Sequence, residues 1–186
     1  DAGRIAAIGR VVERGKREID AHDLYVSPGW IDMMDQSSDA LRSNSRAENK
    51  VLMGVTTAIA GERGVPVEAA KVADYFAELE RKGISINFGA CFATHQARIA
   101  VMGDKAGAPS AEQLAAMKGL VDQAMQAGAL GVGTALIYPP ASFQSTDDLV
   151  ELASVAARYG GLYASHMRDE SADLLKSIEE SIAIAE

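Results

Sequence analysis

The sequence predicts an α/β protein built on a parallel sheet, and three observations predict it. From residue 30 onward, short apolar β-rich runs alternate with amphipathic helical segments. Most of the runs carry no polar interruption, as expected of strands buried on both faces. The turn after the first run reads Met34-Asp35-Gln36-Ser37, where a dinucleotide fold places Gly-x-Gly-x-x-Gly, and no P-loop is present. A doubly wound sheet and part of a (β/α)8 barrel both fit the alternation, and the missing fingerprint favours the barrel.

The elements follow in order. Residues 4–26 read as short strands: Arg4 to Ile8 before Gly9, Arg17 to Asp20 before the turn-like Ala21-His22-Asp23, and Leu24 to Val26 before the loop signal Ser27-Pro28-Gly29. Five strands are then expected, at Trp30 to Met34, Val55 to Ala60, Ile84 to Phe92, Ala129 to Ile137 and Leu162 to Met167. Gly131-Val132-Gly133 falls inside one of them and reads as close backbone packing.

The helices alternate with these strands, and five are expected. Residues 66–82 have Pro66 in the first turn, Arg81 and Lys82 in the last, and Gly83 beyond. Residues 111–127 are entered by the capping pair Ser110 and Gln113 and carry Leu114, Met117, Val121 and Ala124 on one face. Residues 146–159 show Leu149, Leu152, Ala156 and Tyr159 at the same spacing before Gly160-Gly161. Ser171 is the expected cap of a last helix whose stripe is Leu174, Leu175, Ile178 and Ile182. That helix meets no stop signal, and the chain opens on Asp1 without a Met, so a continuation at both ends is expected.

Composition excludes several classes. The 186 residues are 48% hydrophobic and 24% charged, which is too apolar for a disordered chain. Twenty-six acidic against 18 basic residues give a net charge of -8, a surface that repels phosphate backbones and argues against a nucleic-acid partner. No apolar run approaches the roughly 20 residues that span a bilayer, so no membrane role is expected. The single Cys91 excludes an internal disulfide, fits the cytoplasm, and reads as a small packed hydrophobe.

In either parallel architecture, chemistry gathers at the carboxyl ends of the strands. Those ends carry Asp35 and Gln36, Glu62 and Arg63, Thr94, His95 and Arg98, Tyr138, and His166, Arg168, Asp169 and Glu170. His166 ends a buried strand, facing either the barrel mouth or the helix layer. A neutral imidazole there suits zinc, or a structural hydrogen bond. Glu62 holds the matching position after the second strand, as a metal ligand or as a solvated loop carboxylate. His95 sits in a polar loop and reads as solvated rather than as a second ligand, and His22 in its turn has no role. Tyr138 and Arg168 can bind a carboxylate; otherwise Tyr138 is held by a backbone group and Arg168 pairs with Asp169 or Glu170.

At these residues the sequence resembles a known family, the N-acyl-D-amino-acid deacylases (D-aminoacylases) of the amidohydrolase superfamily. The matching segments are Ile5 to Gly9, Ser27 to Asp32, Gly54 to Thr57, Gly128 to Gly131, Leu136 to Pro140 and Tyr163 to Glu170. They run in the family's order over almost the whole chain. Tyr138-Pro139-Pro140 and Ser165-His166-Met167-Arg168-x-Glu170 are the specific ones, whereas Pro28-Gly29-x-Ile31-Asp32 marks the wider superfamily.

The resemblance implies a (β/α)8 barrel joined to a small β-sandwich. Residues 1–27 would be a remnant of the sandwich, and residues 28–186 about five of the eight barrel units. It implies hydrolysis of N-acyl-D-amino acids, small-molecule substrates, to a carboxylate and a free D-amino acid. It also implies an essential zinc, which polarises the scissile carbonyl and activates water. His166 matches the family's strand-five zinc ligand, and Tyr138 matches a tyrosine that contacts the substrate carboxylate. The strand-six His ligand and the strand-eight catalytic Asp would lie beyond Glu186, so no catalytic residue is assigned.

Two departures bear on the metal. The superfamily's His-x-His is replaced by Met34-Asp35-Gln36, and the family's Asn-Cys-Gly reads Glu62-Arg63-Gly64. Glu62 is therefore expected to replace the thiolate, with Glu62 and His166 as the zinc ligands of this chain. The competing readings are cleavage of a cyclic or other amide, and a metal-free relative that only binds ligand.

Overall fold

The structure, a computed structural model, describes residues 4–12 and 14–186. Residues 1–3 and 13 of the expected 1–27 segment lie outside the described residues. Among the described residues six strands form, β1 (Trp30–Asp32), β2 (Val55–Ala60), β3 (Asn87–Ala90), β4 (Phe92–Ala93), β5 (Gly131–Ala135) and β6 (Leu162–His166). Every pairing is parallel, in the orders β1-β2-β3 and β4-β5-β6, with Ala58 opposite Phe88 and Val132 opposite Tyr163. The expected third strand is divided at Cys91. The Cys91 N–H bonds back to the Ala60 carbonyl (2.9 Å), while the Ala90 carbonyl accepts the Leu130 N–H on the other side (2.9 Å). The backbone thus passes from the partner of β2 to the partner of β5 within one residue. Cys91 is fully buried, and burial pushes its thiol up to about 12, as for a packed hydrophobe.

The strands expected in residues 4–26 do not form among the described residues. A strand must share its N–H and C=O groups with a neighbour. No strand ladder includes this segment among the described residues, and Ile5, Ile8, Val12, Leu24 and Tyr25 stand exposed. Its turn does form, closed by the Leu24 N–H on the Ala21 carbonyl (3.0 Å).

Seven α-helices are present among the described residues: α1 (Ala40–Ser43), α2 (Glu48–Leu52), α3 (Val72–Lys82), α4 (Thr94–Met102), α5 (Ala111–Gln126), α6 (Thr146–Ala157) and α7 (Leu174–Ala185). The expected capping box on α5 closes in both directions between Ser110 and Gln113. A second box, Ser145 with Asp148, opens α6. Three helices depart from expectation. Helix α3 starts after a 3-10 turn, not at Pro66, because the Val65 N–H is tied to the Cys91 carbonyl (2.9 Å) and holds that stretch on the sheet. Helix α7 starts at Leu174 and Ser171 does not cap it, because the Asp169 Oδ1 accepts the Ser171 and Asp173 N–H groups (2.6 and 3.2 Å) and closes a turn before the helix. Helix α4 occupies what reads as a polar loop. Its buried face includes Arg98, 1% exposed and donating to the Lys105 and Gly107 carbonyls, so no apolar stripe announces it.

Consecutive helices pack side by side, α4 on α5, α5 on α6 and α6 on α7. Of their expected apolar faces, Met117, Val121 and Ala124 of α5 and Leu149, Leu152 and Ala156 of α6 are buried, whereas Leu114 is half-buried and Tyr159 stands exposed just past the end of α6. The other side of the sheet is concave and lined by small residues. A Cβ on Gly133 of β5 would lie 1.9 Å from the Gly61 carbonyl oxygen, and one on Gly61 would lie 3.0 Å from the Ala164 Cβ of β6. Gly61 after β2 therefore touches strands that are not its sheet neighbours. This curvature brings the end of β2 to the end of β6. Among the described residues no helix is long and apolar enough to cross a membrane.

Candidate metal centre

Glu62 leaves β2 after Gly61, and His166 is the last residue of β6. Curvature of the sheet sets the Glu62 Oε2 3.1 Å from the His166 Nδ1. Glu62 is only 4% exposed, so it is not the solvated loop carboxylate that sequence also allowed. Gln36, just past β1, donates from Nε2 to the Glu62 Oε1 (2.9 Å). The Oε2 makes no hydrogen bond despite the nearby imidazole. On its other side the His166 Nε2 faces the Glu170 Oε1 at 3.5 Å.

A buried carboxylate with one satisfied oxygen and one orphaned oxygen is costly unless a cation completes it. Two donors that each bond one zinc at about 2 Å stand roughly 3 Å apart, so the Glu62–His166 spacing fits a shared ion. A carboxylate on the far nitrogen of a ligating imidazole is the usual way such a ring is held. The pair supplies two donors of the three that a catalytic zinc takes from protein. No group of three or more His, Cys, Asp or Glu side chains placed to hold a metal occurs among the described residues.

Both side chains line a cavity of about 510 Å³ whose wall also includes Gln36, Arg63, His95 and Tyr138. The Tyr138 ring meets the His166 ring edge-on, with centroids 5.6 Å apart. His95 is half-buried, not solvated as expected. Its Nδ1 is buried without a partner, and burial, then the Arg63 charge, hold its pKa below the ordinary histidine range.

The structure does not bring Arg168 to this group. Its Nε and Nη2 donate to both oxygens of Glu180 on α7 (2.9 and 2.8 Å). The Nη1 donates to the Ser142 carbonyl (2.8 Å) and the Nη2 also to that of Gln144 (2.9 Å). Arg168 is thus a brace between β6, α7 and the segment before α6, and its partner is neither Asp169 nor Glu170. Burial raises the Glu180 pKa, but the Arg168 and Thr146 hydrogen bonds outweigh it and leave the carboxyl below its ordinary 4.5. A lowered folded pKa contributes stability above the unfolded value that is lost as pH falls through the folded one. Urea unfolding should therefore show stability declining below about pH 4.5. Glu180→Gln should cost about 2 kcal/mol at pH 7 and flatten that decline.

Sequence reading did not foresee the cluster beneath Gln36. Asp35, fully buried, receives the Lys50 Nζ (2.7 Å) and the Ser37 N–H (2.9 Å). Lys50 also pairs with Asp32, and that hydrogen bond is the main force holding the Asp32 carboxyl below its ordinary value. Asp35 thus anchors the loop that presents Gln36.

No protein-family model matches the chain. A curated D-aminoacylase of Alcaligenes xylosoxydans xylosoxydans is 32% identical to it, over 97% of this chain and 42% of that protein. A solved D-aminoacylase structure, described as defining a novel subset of amidohydrolases, superposes with a TM-score of 0.77 at 29% identity, over 84% of this chain and 38% of that one. An N-acyl-D-glutamate deacylase from Bordetella bronchiseptica superposes with a TM-score of 0.66 at 30% identity, over 84% of this chain and 37% of that one. It was solved with zinc and a phosphonate mimic of the tetrahedral intermediate. The chain spans about 42% of the length of the curated D-aminoacylase. Across the stretch they share, sequence and fold agree, and the chain is similar to these N-acyl-D-amino-acid deacylases.

Proposed function

We propose that the whole protein is a zinc-dependent hydrolase that cleaves the amide bond of N-acyl-D-amino acids to a carboxylate and a free D-amino acid. The carrying observation is the buried Glu62 Oε2, unpartnered, 3.1 Å from the His166 Nδ1 in the wall of a cavity. Glu62 and His166 would hold the ion, and Glu62 takes the place of the family's thiolate with a harder oxygen donor. When bound, zinc supplies Lewis acidity that polarises the scissile carbonyl and activates water near neutral pH.

The chain's own residues do the positioning. Gln36 fixes one carboxylate oxygen of Glu62 and leaves the other free for the ion. Glu170 on the far side and the Tyr138 ring restrict how the His166 imidazole can turn. Tyr138 lines the same cavity and would offer its hydroxyl to the substrate carboxylate, setting the amide against Glu62 and His166. Arg168 is withdrawn from that role, because its guanidinium is taken up by Glu180 and two carbonyls. In this reading the curved parallel sheet is an arc of a (β/α)8 barrel spanning residues 28–186, and residues 1–27 belong to a small β-sandwich.

The test is release of free amine from N-acetyl-D- and N-acetyl-L-amino acids by the whole protein, with zinc measured on the same sample. Turnover of the D forms alone, with about one zinc per chain, is expected. Zinc binding without turnover of any N-acetyl-D-amino acid contradicts the substrate assignment. Ligand binding with no zinc supports a metal-free binder instead.

A further inference from the structure

Arg63 follows Glu62 directly and, in the segment that resembles Asn-Cys-Gly, occupies the place of the cysteine. It lines two adjoining cavities, the one that holds Glu62, Tyr138 and His166, and a second of about 340 Å³ whose wall includes Ser38, Asp39 and Gln96. Gln36 and His95 are the other residues common to both. Among the described residues Arg63 is the one lysine or arginine in either wall. Arg42, Arg46, Arg158 and Arg168 each hold a carboxylate. Arg63 holds none among the described residues, although Glu62 and Asp39 belong to the same walls. A guanidinium cannot shed its charge, and its planar fork of donors matches a carboxylate in two-point contact. Two further polar atoms in these walls lack partners as well, the His95 Nδ1 and the Gln96 Oε1.

We propose that Arg63 is the carboxylate anchor of this site, receiving a carboxylate of an N-acyl-amino acid whose amide lies against Glu62 and His166. The proposal rests on the hydrolase reading above and names the residue that orients the substrate. The span is suitable, because Arg63 lines the same cavity as Glu62 and His166, and only the amide nitrogen and one carbon separate the scissile carbonyl from the α-carboxylate. A carboxylate on the substrate side chain could reach the same fork from the second cavity.

Binding, measured calorimetrically on the zinc-stripped protein so that no ion competes for the carboxylate, tests this. The probes are N-acetyl-D-alanine, N-acetyl-D-glutamate and N-acetyl-D-alaninamide, which has no carboxylate. Arg63→Gln should weaken at least one acid about 10- to 100-fold and leave the amide unchanged, and Arg63→Lys should restore part of the loss. Loss for both acids assigns the α-carboxylate. Loss confined to N-acetyl-D-glutamate assigns the side-chain carboxylate, and with it a preference for acidic substrates. Equal affinities in wild type and Arg63→Gln overturn the anchor. Arg63 is exposed, so the variant should fold, which circular dichroism checks. If the protein takes up no zinc but the carboxylate effect follows Arg63, the hydrolase reading fails and the anchor stands. If zinc binds and the effect is absent, the reverse holds.

Discussion

Glu62→Ala is expected to strip the protein of its zinc, from about one ion per chain to a trace in metal analysis of the dialysed protein. The substitution removes one of the two donors this chain contributes, and a catalytic zinc that has lost one of its three protein donors is not retained on dialysis. Gln36→Ala removes only the hydrogen bond that aims the carboxylate, so it should weaken zinc about 10- to 100-fold without abolishing it. Stability separates this account from a structural ion pair. A carboxylate that is 4% exposed with an orphaned oxygen is a burden in the metal-free protein. Glu62→Gln should therefore cost no stability when zinc is absent, as measured by urea unfolding. If Glu62 and His166 are merely a brace, the same substitution should cost about 3 kcal/mol.

Gly133→Ala should damage fold and metal site together. Its Cβ would stand 1.9 Å from the Gly61 oxygen and 3.1 Å from the Glu62 Cα. The obstacle is backbone on both counts and cannot swing away as a side chain would. The end of β2 must retreat from β5, at a cost of about 3 kcal/mol. Glu62 moves with it, and a displacement of about 1 Å at a positioned group is worth roughly 100-fold in rate. Gly119→Ala is the matched control. Gly119 lies exposed in the middle of α5, where an added Cβ meets nothing within 4 Å. There the methyl group should stabilise the protein by about 1 kcal/mol, since glycine is a poor helix former. The same chemical change thus has opposite signs at two positions, and thermal unfolding of both variants reads the difference.

Much of this was legible in the sequence. Parallel strands place their carboxyl ends on one side of a sheet, so Glu62 and His166 could be expected together from strand positions alone. Gly131-Val132-Gly133 read as close packing, and Gly133 does pack against Gly61. What escaped depends on partners that local pattern cannot name. Helix α4 hides an arginine instead of an apolar stripe, so its period is invisible in the sequence and His95 reads as a loop residue. Arg168 has carboxylates one and two residues away, yet it bonds Glu180 one helix later. Lys50 reaches back across α1 and the following loop to Asp32 and Asp35. The apolar residues of 4–26 have strand composition, but strand formation requires a neighbour that composition does not specify.

The most direct measurement is anomalous X-ray scattering at the zinc edge from crystals of the zinc-loaded protein. The account predicts one peak in the cavity, within bonding distance of about 2 Å of a Glu62 oxygen and a His166 nitrogen. A zinc peak elsewhere, with the Glu62–His166 contact undisturbed, would contradict it.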